Sequence, residues 1–214
     1  MLAGLVTVLL LGGSVAASAE PASTEDPLWL SPEMRAWVHL QVPAAGRPEV
    51  RLERLLDALL QPGALGLREQ TLATVTAAEA FTSRHADCTG FAHLFVALAR
   101  ELQVPAFFLL FEDIETYQRG NHLRIASAHL AAGFGPQGRV RVYDFGGVNP
   151  GSSSHPHRRI SDQTAAAVYR SNRGAQLLAA GSIAAAIQQL RQAVTLDPTL
   201  GHDRRAVRFH VPEH

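Results

Sequence analysis

From Cys88 onward the apolar residues Phe91, Ala92, Phe95, Leu98, Ala99 and Leu102 recur at helical spacing over a broad stripe. Such a helix is buried along that stripe and needs other elements around it. A strongly apolar, aromatic run of strand length, "PAFFLLF", follows at Pro105. Two more strand candidates, "RIASAHLAAGF" and "RVRVYDF", are separated by the turn-forming "GPQG" and predict an antiparallel hairpin. The order helix, strand, strand, strand places the chain in the α+β class.

Two amphipathic helices are predicted upstream. Ser31 can cap the first, with Pro32 at its first helical position and Glu33 at the positive end of the dipole; Pro43 and Gly46 end it. The second begins near Pro48, shows Leu52, Leu55, Leu56 and Leu59 on one face, and stops at Pro62 and Gly63. Thr76 and Glu79 fit a capping box opening a short helix, "TAAEAF", and Asp87 stands where an N-cap for the Cys88 helix belongs. "GGVNPGSSSHPHRR" is a loop by composition, and from Ser161 the chain turns helical and Ala-rich. The first stretch, "MLAGLVTVLLLGGSVAASAE", reads as a secretory signal over residues 1–19 cut after Ala19, with an uncleaved anchor as the alternative. A periplasmic or secreted location follows from the first of these.

Nineteen basic and nineteen acidic side chains balance, so nothing in the charge points to nucleic acid or an anionic membrane as partner. Every one of the basic nineteen is Arg. The chain therefore supplies no lysine amine to a cross-linking reaction. With one Cys among 214 residues there is no intramolecular disulfide. No Gly-rich phosphate loop and no nucleophile-elbow pattern are present, and no cofactor or metal is implied; "HPH" at His155 and His157 lacks a third ligand at a recognisable spacing and reads as exposed loop.

Cys88 is either a small buried residue or a nucleophile. A thiol in the first turn of a helix feels the partial positive charge of the free amides, which lowers its pKa. A base is available in His129 on one strand candidate and an orienting acid in Asp144 on the next. Nucleophile, base and acid then lie on three consecutive elements. His122 is the alternative base if the register is shifted; His93, well off the Cys88 face, reads as a satisfied polar residue and His85 as exposed loop.

"ADCTGFAHLFVALARELQVPA" resembles the Cys-helix segment of the bacterial transglutaminase-like superfamily, and "HLAAGF" and "VYDF" are similar to its His and Asp strands in the same order. The resemblance implies a papain-like core over residues 20–160, with the Cys helix packed on an antiparallel sheet, and a Cys88, His129, Asp144 triad acting on a peptide or amide by hydrolysis or acyl transfer. It departs from that family where Leu130, Ala131, Ala132 and Gly133 follow His129 in place of an aromatic residue, which bears on the substrate groove. The backbone amide of Cys88 is one candidate oxyanion donor. Residues 161–214 resemble one tetratricopeptide repeat plus a tail, through Gly174, Gly181, Ala186, Leu190, Ala193 and Pro198, with Arg173 standing where the repeat has Leu. This helical hairpin either closes the core or docks a protein partner. Two functions follow: an exported cysteine hydrolase or acyltransferase, or a degenerate scaffold of the same fold.

Overall fold

The computed structural model describes residues 26–71, 73–120, 123–145, 147–150, 156–201 and 208–210. The signal segment, His122 and His155 lie outside the described residues. The elements in chain order are α1 (Pro32–Gln41), α2 (Pro48–Leu60), β1 (Arg68–Glu69), α3 (Ala77–Ser83), β2 (His85–Ala86), α4 (Cys88–Glu101), β3 (Phe107–Gly120), β4 (Leu123–Phe134), β5 (Arg141–Asp144), β6 (Gly147–Pro150), β7 (His157–Ile160), α5 (Asp162–Ala179), α6 (Ile183–Leu196) and β8 (Arg208–His210). The caps fall where the sequence places them. Ser31 accepts from the amide of Met34, Thr76 and Glu79 close a full capping box, Asp87 accepts from Gly90, and Ser161 accepts from Thr164.

Helix α4 is the centre of the molecule. Every residue from Thr89 to Ala99 is buried, more than a one-sided stripe requires, because α1, α2, α3 and α5 pack around it and the sheet covers the remaining side. Phe91, Leu94, Phe95 and Leu98 are fully buried, each worth about 1.5–3 kcal/mol of apolar transfer. Phe91 stacks on Phe95, and Phe95 on Tyr143 of β5, with centroids 5.8 and 4.9 Å apart.

The main sheet runs β6-β5-β4-β3-β7 in antiparallel order, with β8 also paired to β4. Over residues 107–111, β3 is apolar on both faces. Phe108 and Leu110 join the core around α4, whereas Phe107, Leu109 and Phe111 form a second cluster with Ala131 and Val142. That explains the unbroken apolar run: alternation is lost when both faces of a strand are covered. The ladder between β3 and β4 carries an irregularity between Leu110 and Glu115. On its other side β4 pairs with β5 over Ala132 to Phe134 and with β8 over Arg124 to Ala126. Residues 127–131 of that edge lie between the two partners.

The stretch read as a loop from its Gly, Ser and Pro content contains strands β6 and β7. Both pair through their backbones to strands already in the sheet, β6 to β5 and β7 to β3, so neighbouring edges override weak local propensity. Pro150 sits at the last position of β6, where a missing donor costs least. β1, β2 and β8 are too short to carry a readable alternation.

Helices α5 and α6 form a hairpin. Gly181 (φ +77°) follows the C-cap of α5 in the left-handed conformation that glycine adopts without strain. A Cβ on Gly174 would sit 2.8 Å from Leu190 Cγ, so the close approach of the two helices depends on that position having no side chain. Among the described residues no helix is long and apolar enough to cross a membrane.

Candidate active site

The site is built on the junction of α4 with β4. Asp87 ends the extended segment before α4, its backbone amide held by the carbonyl of Ala73 at 3.0 Å. Its carboxylate accepts from the amide of Gly90 at 2.9 Å and from the Thr74 hydroxyl, and its burial pushes its pKa up against those hydrogen bonds. Cys88 is thereby fixed as the first residue of the helix.

Cys88 is half-buried. The amide of Leu130 on β4 faces its sulfur, and Thr89 Oγ1 lies 4.0 Å from it. The thiol is pushed up to about 12, first by burial and then by the Asp87 carboxylate beside it. This corrects the lowered pKa expected from the position at a helix start. A helix-terminus field is worth about 0.3–2 kcal/mol, and the hydration lost by a thiolate enclosed next to an anion outweighs it. Cys88 rests as a neutral thiol.

His129 and Asp144 are brought together on adjacent strands. The alternation along β4 sends Leu130 and Ala132 toward α4 and Ala131 into the second cluster, and His129 sides with Ala131, its ring edge-on to Phe111 at 5.2 Å. Its Nε2 stands 4.0 Å from Asp144 Oδ2, with the two side chains 19% and 21% exposed. That distance is within charge-pair reach and longer than a hydrogen bond. The sulfur lies near β4 at the next residue, Leu130, whose side chain is on the α4 face, opposite to that of His129.

The remaining histidines separate. His93 is fully buried, with Nδ1 2.8 Å from the carbonyl of Thr89 and its ring between Phe108 and Tyr169. Its Nε2 has no hydrogen-bond partner, which half corrects the reading of a satisfied residue, and burial lowers its pKa to about 4. His85 is exposed, as expected, but on β2 rather than in a loop. His157 stands on β7, 5.2 Å from Phe111. Among the described residues no group of three or more His, Cys, Asp or Glu side chains could hold a metal ion.

Polar residues outside the expected set complete the surroundings. Asn172 of α5, buried, donates to Thr89 Oγ1 at 2.8 Å. Arg173 donates to the carbonyl of Thr74 at 3.2 Å and to Gln176 Oε1 at 2.8 Å. A signal existed for Arg173 in its departure from the repeat pattern at a position that otherwise takes Leu. Nothing in the sequence singles out Thr89 or Asn172.

A family model described as the transglutaminase-like superfamily matches residues 51–126. The match begins inside α2, takes in Cys88 and the whole of α4, and stops in β4 three residues before His129. Over that stretch, well under half of the chain, the protein is similar to this superfamily, whose members are usually cysteine-dependent acyltransferases or proteases. The mixed α+β architecture, with the cysteine helix packed on an antiparallel sheet and a C-terminal helical hairpin, agrees with that likeness. No curated protein and no solved structure matches the chain.

Proposed function

We propose that the protein is an exported cysteine enzyme that hydrolyses or transfers the acyl group of a peptide or other amide, using Cys88, His129 and Asp144. The observation that supports this reading is the nearness of His129 to Asp144, 4.0 Å apart on adjacent strands of the sheet on which the Cys88 helix packs. The similarity over residues 51–126 supports the nucleophile and is silent on the other two.

Because the thiol rests protonated, its proton has to leave as the sulfur attacks. The proton passes to His129 Nδ1 while a carbon–sulfur bond forms at the substrate carbonyl, and Asp144 steadies the imidazolium through Nε2. The imidazolium then protonates the departing amine, and a thioester remains on Cys88. Water or an external amine discharges it, regenerating the thiol. This step requires the His129 ring to turn from Phe111 toward the sulfur when substrate binds.

A second reading is favoured by the raised thiol pKa: a degenerate site on a scaffold that binds a protein partner through its hairpin. Ile183, Ile187 and Val194 are exposed on α6, and Ile187 lines a groove of about 500 Å³ together with Arg170 and Arg191. Intact-mass analysis after incubation with a p-nitrophenyl ester separates the two. Wild type gains one acyl group, Cys88→Ala gains none, and His129→Gln gains it about 10²–10⁴-fold more slowly, the usual worth of a general base. A wild-type protein that stays unacylated overturns the enzymatic reading.

A further inference from the structure

On α5, Tyr169, Asn172 and Arg173 stand at the spacing that shares one helix face, and all three meet the start of α4 or the segment before it. The Tyr169 ring lies 5.7 Å from that of His93. Asn172, 4% exposed, donates from Nδ2 to Thr89 Oγ1 at 2.8 Å, and Arg173 reaches the carbonyl of Thr74, whose hydroxyl donates to Asp87. A hydroxyl that accepts a hydrogen bond still has its own proton to give. For a helical threonine the usual acceptor is the carbonyl four residues back. Thr89 stands in the first turn, where the residue four back, His85, precedes the N-cap and belongs to β2. An acceptor near the Thr89 hydroxyl is the sulfur of Cys88, at 4.0 Å.

We propose that Asn172 is a positioning residue of the cysteine site: by donating to Thr89 it turns that hydroxyl's proton toward Cys88 Sγ, so that a donor chain starting on α5 ends on the sulfur and stabilises the thiolate. Linked donors polarise one another, so the chain favours negative sulfur more than an isolated hydroxyl does. The inference rests on the reading of Cys88 as the nucleophile. It makes the hairpin, which lies outside the matched residues 51–126, part of the site's electrostatics. The charged groups acting on the sulfur are Asp87 at its own helix start and Glu69 from β1. The hydrogen bond of the Asn172 amide goes to Thr89, so substituting Asn172 isolates the chain.

The test is the rate of Cys88 alkylation by iodoacetamide in the full chain, followed from neutral to strongly alkaline pH. Asn172→Leu and Thr89→Val each slow alkylation about three- to tenfold at fixed alkaline pH and displace the profile upward. The double variant is no slower than Thr89→Val alone, because both act through one hydroxyl. Thr89→Ser restores the wild-type rate. A wild-type profile in Asn172→Leu, or a double variant slowed by the product of the single effects, overturns the proposal. If Asn172→Leu does not fold, Thr89→Val against Thr89→Ser decides, and equal rates overturn it. Alkylation needs no substrate, so the two readings fail separately: a shifted profile in a protein that acylates nothing keeps the donor chain and sinks the nucleophile, and an unshifted profile in an active enzyme sinks the donor chain alone.

Discussion

The two ends of α4 are held by opposite means. At its start, Asp87 is tied to Thr74 and Gly90, Thr89 to Asn172, and His93 to the Thr89 carbonyl by hydrogen bonds that are buried or partly so. At its finish, Arg100 forms a forked pair with Asp162, at 2.6 and 2.9 Å, and Glu101 meets Arg35 and His39 at the surface. Buried hydrogen bonds carry a penalty of about 1–3 kcal/mol when one partner is removed, whereas exposed ion pairs rarely exceed about 1 kcal/mol. The same helix is therefore geometrically strict where it presents a thiol and tolerant where it only needs an anchor.

The sharpest way to test that contrast is acid. Burial depresses the folded-state pKa of His93 to about 4, against an ordinary value of 6.5, so below 6.5 the unfolded chain binds a proton that the folded chain refuses. The stability involved is whole above pH 6.5 and drains as pH falls toward 4, up to about 3 kcal/mol from this residue. Urea titrations across that range lose this slope in His93→Leu; a variant retaining the wild-type slope would show that the strict end does not govern acid unfolding.

At Asp87 a pair of substitutions separates cap from charge. Asp87→Ala costs about 1–2 kcal/mol in urea unfolding through loss of the cap. Asp87→Asn keeps an acceptor for Gly90 and removes the anion beside the thiol, so Cys88 alkylation accelerates with little loss of stability. A rate unchanged in Asp87→Asn would assign the raised thiol pKa to burial alone. The smallest effect belongs to the far end: Glu101→Gln changes stability by less than about 1 kcal/mol, and added salt narrows the difference from wild type. A larger loss would erase the contrast between the ends.

How much of this was legible in the chain follows the same division. α4, its cap and the paired strands β4 and β5 could be read because helical spacing, Asp87 and the "GPQG" turn are local signals. β6 and β7 could not, because their pairing is supplied by neighbours distant in the chain. Among the site residues, the nearness of His129 to Asp144 was foreseen from two facing strands. The direction of the thiol's shift was not, since position at a helix start is written in the sequence and the crowding of the sulfur is not. Asn172 and Thr89, 83 positions apart, carry no mark of one another until folded.

The stretch of β4 edge between its β5 and β8 partners has an entropic consequence. Its flanks come from β5, joined to β4 by a short turn, and from residues 208–210, and α5 must dock before Thr89 is engaged. Closing the 83 residues between Thr89 and Asn172 costs chain entropy that the short turn between β4 and β5 does not, so the polar frame of the cysteine depends on the chain's most distant closures.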